Sequence, residues 1–505
     1  MKMDMENGGG TEKAVENGWN TGGGALGREQ AGRFNRKAVK VEEAQQRVLA
    51  AADGLRLGSE LVPLRASGGR RLAQTIEASS DWPPFARSGL DGYAVRAADI
   101  AGASPEQPAE LRVVDSVAAG GIALAAVQKG TAVRIMTGAA VPEGADAVVM
   151  LEQTADAMLA DGSPAVLIKR AGTAGQNIAP RGEEFRRGSA LAVPGTLVRP
   201  GHVALLGTFG YAEVAVHKRP RVAVFATGSE LLPVEASLAP GQIRDSNSCM
   251  VAAMIEQSGA EPVLCGSLPD EPAAVAAALA SAWADADLIV TTGGVSVGDF
   301  DVMSDIFRSI KNGSETNGQN TLFRDSSFAS DGQNSLSRDS SFPTDGHINE
   351  PARGSAEGNE AHTASNEAAS RVLFDRVAMR PGSPTSAAVI GGKLLFALSG
   401  NPGACFVGFE LFVRPALLRI QGVKEALPRT VRAQLHTAVD KPSPHDRFVR
   451  TRMISRSDGC LLADPLAFTK SSMMASIADA EGLAVIPSGS KGAEAGEIIE
   501  VILIP

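Results

Sequence analysis

The sequence predicts a multidomain α/β-plus-β protein. It should contain a parallel-sheet domain, β-rich domains ahead of it and a small β-barrel at the C-terminal end. Three observations carry this reading. Strand-like and helix-like segments alternate through residues 218–310 and 371–423, the pattern of βαβ units on a mostly parallel sheet. Residues 65–217 hold short apolar runs divided by glycine and proline, the texture of small β-rich units. Residues 424–505 return to short strands and end in Glu497-Ile-Ile-Glu-Val-Ile-Leu-Ile-Pro505.

Taken in order, residues 1–36 are rich in Gly, Asn, Glu and Lys without apolar periodicity and read as a disordered tail. Val41, Ala44, Val48, Leu49 and Ala52 recur at helical spacing before Gly54. Strands follow at Leu111–Val114, Thr131–Met136, Ala147–Met150 and Ala165–Ile168. Arg221–Ala226 reads as a buried strand, and Ser246 or Asn247 starts a helix through Met254 that is stopped by Gly259. Pro262–Cys265 is a strand, Pro272 opens an Ala-rich helix to Trp283, and Asp287–Thr291 is the next strand. Leu394–Leu398 is a further strand, with a helix from about Ala404 to Ile420. Between them, residues 311–370 are Ser-, Asn-, Asp- and Gly-rich. They contain a near repeat (318–331 against 332–345) and too little apolar surface to offset their ordering entropy, so they read as a disordered insertion.

Composition excludes several classes. The 48 Lys+Arg against 57 Asp+Glu leave a net charge of −9, which argues against nucleic acid as a partner. No apolar run is long enough to span a membrane, and the first residues lack a signal-peptide apolar stretch, so the expectation is a reduced, soluble, cytoplasmic protein without membrane partners. The four cysteines, Cys249, Cys265, Cys405 and Cys460, lie far apart and read as buried small residues rather than a disulfide or thiolate-zinc framework. The six histidines show no metal-binding spacing and read as surface or satisfied core residues.

In an open parallel sheet, ligands bind outside the carboxyl ends of the strands. Those ends carry Thr227-Gly-Ser-Glu-Leu231, Leu268-Pro-Asp-Glu-Pro272, Thr291-Thr-Gly-Gly-Val-Ser-Val-Gly-Asp-Phe-Asp301 and Ser399-Gly-Asn-Pro-Gly403. Gly293, Gly294 and Gly298 would let backbone amides approach a phosphate, although the loop is neither a Walker loop nor a dinucleotide fingerprint. Glu230, Asp270 and Asp301 suit a hard divalent ion, which prefers oxygen ligands; they are equally the residue types of helix caps and turns. Arg380, in Arg380-Pro-Gly-Ser-Pro384, offers a planar fork to an oxyanion. The β-rich half has its own polar turns, at Asp91 and Tyr93, at Thr137 and Gly138, and at Asn177 to Glu184.

These stretches resemble the MoeA family of molybdopterin molybdenumtransferases, also represented by the C-terminal part of gephyrin. The matching motifs are Ser88-Gly-Leu-Asp-Gly-Tyr-Ala94, Met136-Thr-Gly-Ala-Ala-Val-Pro-Glu-Gly-Ala-Asp146, Asn177-Ile with Arg181-Gly-Glu-Glu184, Thr227-Gly-Ser-Glu-Leu231, Gly241-Gln-Ile-Arg-Asp-Ser-Asn247, Thr292-Gly-Gly-Val-Ser-Val-Gly-Asp-Phe-Asp301, Met379-Arg-Pro-Gly-Ser-Pro384 and Ser399-Gly-Asn-Pro-Gly403, in the family's order across about residues 38–505.

The resemblance implies a homodimer of L-shaped subunits with four subdomains. These would be a discontinuous one from 37–64 and 190–217, a β-rich one from 65–189, a molybdopterin-binding α/β one from 218–423 and a barrel from 424–505. It implies insertion of molybdate into adenylylated molybdopterin with release of AMP and with Mg²⁺, at a site drawing on both subunits, and a molybdopterin adenylyltransferase-like enzyme as pathway partner. Asp91, Thr137, Glu184, Glu230, Asp270 and Asp301 match its catalytic positions, and Glu230 and Asp301 its metal positions. Gly293, Gly294, Ser296, Gly298, Arg376, Arg380, Ser383, Asn401 and Pro402 match its substrate-binding positions. Arg447 or Arg450, with Ser471 or Ser472, would add oxyanion contacts from the C-terminal domain.

The sequence departs from the pattern at Glu184, where Asp is usual, and at Arg380 and Ser383, where a Lys-Pro-Gly-Lys run is common. It departs again at Ser399 and at Gly403-Ala404. Two other functions compete: adenylylation of molybdopterin one step earlier, and non-catalytic molybdopterin binding or scaffolding.

Overall fold

The computed structural model describes residues 38–295, 302–315, 370–440, 442–466 and 473–505. The tail 1–36 and most of the insertion lie outside the described residues. The chain forms two units. One joins 56–220 to 417–426; the other joins 221–416, 427–505 and the segment up to Leu55.

The first described helix, α1 (Val41–Ala52), buries Val41, Ala44, Val48, Leu49 and Ala52, the residues whose spacing predicts it. It belongs to the second unit. Arg47 Nη1 donates to the Leu373 carbonyl at 2.5 Å, Gln45 Nε2 to that of Leu411 at 3.2 Å, and Val39 bridges Val377 in parallel. Strand β1 (Ser59–Pro63), a few residues on, lies instead in the first unit.

In that first unit, β2 (Gly92–Val95), β3 (Ala109–Val117), β4 (Thr131–Ile135), β5 (Ala147–Met150), β6 (Thr154–Met158) and β7 (Pro164–Ile168) form one mixed sheet in the order β5-β2-β4-β3-β7-β6. Both faces are covered. Tyr93, Val95, Leu111, Val149 and Ile168 pack on one side, and Ala94, Val133, Ile135 and Val148 on the other. A strand buried on both faces reads as a continuous apolar run, as Ala147-Val-Val-Met150 does. Where β2 meets β5, a Cβ on Gly92 would lie 1.9 Å from the Val149 carbonyl oxygen, so the strands approach only because that residue has no side chain. A second core in this unit gathers Leu72, Ile76, Leu206 and Val216 around helix α2 (Pro200–Thr208) and the antiparallel pair of β1 with β8 (Glu213–His217). Here the Nε2 of His217 is buried without a hydrogen-bond partner, against the expectation of a satisfied histidine.

The second unit holds the α/β sheet. Its strands are β9 (Arg221–Thr227), β10 (Glu261–Leu268), β11 (Leu288–Thr292), β12 (Arg371–Phe374), β14 (Ser386–Ile390) and β15 (Lys393–Leu398); the short β13 (Met379–Arg380) lies outside it. The order is β10-β9-β11-β15-β14-β12, and the first four are parallel. β14 pairs antiparallel with β15, and β12 antiparallel with β14, which a reading as βαβ units alone does not anticipate. The β14–β15 pairing has a local cause: Gly391-Gly392, both at positive φ, turn β14 back into β15 as a two-residue hairpin. Helices α3 (Ser246–Gln257), α4 (Pro272–Trp283) and α5 (Val302–Glu315) flank the sheet. The predicted helix near 404–420 runs from Pro402 to Ile420, with a π-helical turn at Phe409–Val413. Just after that turn, Arg414 makes a bidentate pair with the buried Glu410 (2.7 Å each) and donates to Ser258 Oγ and Gln257 Oε1, tying this helix to the end of α3.

The last domain is a closed five-stranded barrel. Strands β16 (Thr430–Leu435), β17 (Asp446–Ser455), β18 (Leu461–Pro465), β19 (Gly482–Ile486) and β20 (Ile498–Leu503) pair in the circuit β17-β18-β16-β20-β19-β17 around Leu435, Val449, Ala463, Ile486 and Val501. Strand β13 pairs in parallel with the start of β17. The cysteines differ from expectation: Cys405 is buried, but Cys249 and Cys265 are exposed, and all four are free.

Replacing Gly92 by alanine should push β2 off β5. We expect a loss of about 3 kcal/mol or more in urea unfolding, the effect of a side chain forced into a filled space. A variant as stable as wild type would show that the strand pair can part freely.

Candidate functional site

Strands β9, β11 and β15 stand in register, Ala226 beside Thr292 and Thr292 beside Leu398, so they end at the same level. The turns beyond these ends are therefore brought together. Gly293 N donates to the Leu398 carbonyl at 2.8 Å, and Thr227 Oγ1 donates to that of Thr292 at 3.2 Å. Gly293 has φ +97°, and a Cβ there would lie 2.5 Å from Thr227 Oγ1. Gly400 packs on Gly293, where a Cβ on Gly400 would lie 3.4 Å from the Gly293 Cα. Gly293 must therefore be glycine, and with Gly294 and Gly400 beside it the strand ends present backbone rather than side chains.

Glu230 is exposed, and its carboxylate folds back over Gly228, where a Cβ would meet Oε2 at 2.5 Å. Asp270 is exposed in the turn after β10. The cap of α4 is its neighbour Glu271, which accepts from the Ala273 and Ala274 amides. Asn401 caps the helix that Pro402 begins, its Oδ1 accepting from Ala404 N at 3.4 Å, so these two shape the turn as much as they line it. Gly294 follows Gly293 with φ +67°. Ser296, Gly298 and Asp301 lie outside the described residues, as do Ser471 and Ser472.

Arg376, Arg380 and Ser383 share one loop. The hydroxyl of Ser383, on a buried residue, donates to the Val377 carbonyl at 2.8 Å and accepts from Arg376 Nε at 3.3 Å, so it closes the loop. Arg380 is exposed, and β13 sets it beside Arg447 of the barrel. Burial, and then the charge of Arg380, hold the Arg447 guanidinium below its ordinary pKa. Arg450 is buried and donates to Ser476 Oγ at 3.0 Å.

The unit of 56–220 has a separate polar cluster. Asp91 Oδ1 accepts from both the hydroxyl and the amide of Thr137, at 2.7 and 2.6 Å. These two bonds, with the charge of Arg134, hold Asp91 below the usual carboxylate range. Arg134 in turn donates to Tyr93 Oη at 3.2 Å, which donates to Asp156 at 3.0 Å. Glu184 is exposed on a turn whose amide donates to the Trp82 carbonyl at 3.1 Å; Arg181 in the same turn pairs with Asp81 at 2.8 Å.

Sequence reading missed Arg134, and it placed Asn247 in a motif without giving it a role. Asn247 Nδ2 donates to the Gly400 carbonyl at 2.8 Å across 153 residues. Its signals in the sequence are its place at the start of a helix and in the Gly241–Asn247 motif; its partner, 153 residues away, has none. Among the described residues no three His, Cys, Asp or Glu side chains gather as a metal site. Glu230 is an exposed carboxylate at the strand ends, the oxygen-donor type that a hard divalent ion prefers.

Because the folded-state pKa of Asp91 is depressed, its stabilising contribution is present above the ordinary carboxylate pKa and fades as pH falls through the folded value. Thr137→Val removes the hydroxyl donor. A carbon-13 NMR titration of the Asp91 carboxyl should then show its pKa rising toward the ordinary value; an unmoved pKa would assign the shift to the amide and Arg134 alone.

Three family models match the chain in order: the MoeA N-terminal region (domains I and II) over residues 39–210, a probable molybdopterin-binding domain over 223–336, and the MoeA C-terminal region (domain IV) over 432–504. The chain is 40% identical to the molybdopterin molybdenumtransferase of Bacillus subtilis over 448 residues, covering 88% of this chain and 90% of that protein. It is 36% identical to that of Staphylococcus aureus (strain COL), covering 93% and 96%. The crystal structure of a molybdopterin biosynthesis MoeA protein from Pyrococcus horikoshii superposes with a TM-score of 0.69 at 27% identity, covering 93% of this chain and all of that one. A chain with this domain order, these strand-end glycines and these relatives belongs to the MoeA family.

Proposed function

We propose that this protein is a molybdopterin molybdenumtransferase of molybdenum cofactor biosynthesis, inserting molybdate into adenylylated molybdopterin and releasing AMP. The observation that supports this most is the convergence of three strand ends on side-chain-free turns with the exposed Glu230 beside them. Curated relatives across most of the chain are named molybdopterin molybdenumtransferase.

In this reading the turns at Gly293-Gly294 and Gly400 admit the phosphoanhydride against backbone rather than side chains. Glu230 and Asp301 would hold Mg²⁺, which supplies neutralisation of the negative charge developing on the phosphate oxygens. Arg380 and Arg447 are set side by side by β13 and β17, and their planar guanidinium forks suit an oxyanion such as molybdate. Asp91, ionised at neutral pH and held by Thr137, is a fixed acceptor. No protein nucleophile is needed, because the dithiolene sulfurs of the substrate ligate molybdenum. We further propose a cytoplasmic homodimer. Among the described residues no helix is long and apolar enough to cross a membrane.

Purified protein given adenylylated molybdopterin, molybdate and Mg²⁺ should release AMP, and chelation of the metal should stop it. Asp301→Ala and Glu230→Gln should each slow release by about tenfold or more at unchanged thermal stability, within the range typical of lost transition-state charge stabilisation. AMP release independent of molybdate would sink the proposal. Adenylylation of molybdopterin by Mg-ATP would point to the preceding step instead, and pterin binding without turnover to a scaffold.

A further inference from the structure

The hydrogen bond from Asn247 to Gly400 leaves one atom unaccounted for. A backbone carbonyl can only accept, so it fixes which end of the Asn247 amide is the NH₂ group. The other end is therefore Oδ1. That oxygen is buried and has no hydrogen-bond partner. Folded proteins rarely leave a buried acceptor unpaired, and the exceptions gather where something else completes the bond. Here the exception sits in the first turn of α3, in direct contact with the Ser399–Asn401 turn, whose Gly400 packs on Gly293. Asn247 as a whole is only partly buried.

We propose that Asn247 is a specificity-determining residue. Its Oδ1 accepts a hydrogen bond from an N–H or O–H of the substrate, while its NH₂ group holds the Gly400 turn in place. The inference rests on the proposed reaction, in which the substrate joins two donor-bearing halves. The pterin carries ring N–H and amino groups; the adenylyl half carries an amino group and ribose hydroxyls. The anhydride between them carries no donor when ionised. An acceptor at this position therefore reads a heterocycle or a sugar, not the phosphates. A mere brace would serve all ligands alike.

The test is calorimetric binding of three ligands with Mg²⁺ at alkaline pH: AMP, molybdopterin and inorganic pyrophosphate, the last essentially free of donors. Asn247→Ala should weaken AMP or molybdopterin by about five- to tenfold, the worth of one hydrogen bond, with pyrophosphate changed by less than about twofold. Whichever of the two weakens identifies the half that is read. Equal weakening of all three would make Asn247 a brace and overturn the proposal, as would no weakening of any. Should the alanine variant fail to fold, Asn247→Asp keeps an oxygen in place. Its charge should weaken pyrophosphate, the most highly charged of the three, at least as much as the ligand that is read; a selective loss of AMP or molybdopterin overturns the proposal equally. Wild-type protein that binds none of the three would overturn the proposed function, and this inference with it.

Discussion

The register of three parallel strands is the constraint on which the α/β site depends. Parallel pairing between β9, β11 and β15 runs residue for residue from Val222, Leu288 and Leu394 to Ala226, Thr292 and Leu398. A slip of one residue would exchange the faces of every side chain on a strand. The strands resist this because both faces are buried: Ala223, Ile289 and Leu395 lie in the cluster beneath α4 and α5, while Val224, Val290 and Phe396 between them are equally buried on the other face. Register so fixed brings three short turns to one level, where Gly293 N reaches the Leu398 carbonyl. A site assembled from backbone needs that precision, since no side chain can swing to make up a misplacement.

The helices serve the same end. The segment from Pro402 to Ile420 starts in the site, where Asn401 caps it, and is anchored far from it by Arg414. The ion pair of Arg414 with Glu410 is buried on both sides. Such a pair is a weak source of stability but a strict one, because removing either partner strands a charge. Its links to Gln257 and Ser258 also hold the end of α3, whose other end carries Asn247. Two helices that begin at the strand ends are thus tied together at their far ends. In the other unit, Asp91 is placed by comparable means. Gly92 brings β2 against β5, and the loop after β4 puts Thr137 over the carboxylate.

Much of this was legible in the residues. The apolar runs at Arg221–Ala226 and Leu394–Leu398, the Pro272 start and the Gly-rich strand ends each correspond to an element or turn at that place. The antiparallel pair was not read, although Gly391-Gly392 announces a hairpin, because a repeating strand–helix alternation predicts parallel neighbours by default. Nor were the assignments of small polar residues. Asp270 and Glu271 are adjacent carboxylates before a proline, and only the fold says that Glu271 is the cap. Ser383 reads as a ligand in a motif, yet its hydroxyl closes its own loop. Cys249 and Cys265 read as buried residues because cysteine usually is, but one lies near the start of α3 and the other on an edge strand, where water reaches both.

The sequence by itself determined the elements, the order of the domains and the family, because these rest on local periodicity and on motifs read along the chain. The tertiary structure alone decided which polar groups are occupied and which are open. Asn247 and Gly400 stand 153 residues apart, so their hydrogen bond, and the acceptor it leaves unpaired, exist only once the sheet has brought the two turns together. A side chain's partners depend on distance in space, which the order of residues does not encode directly.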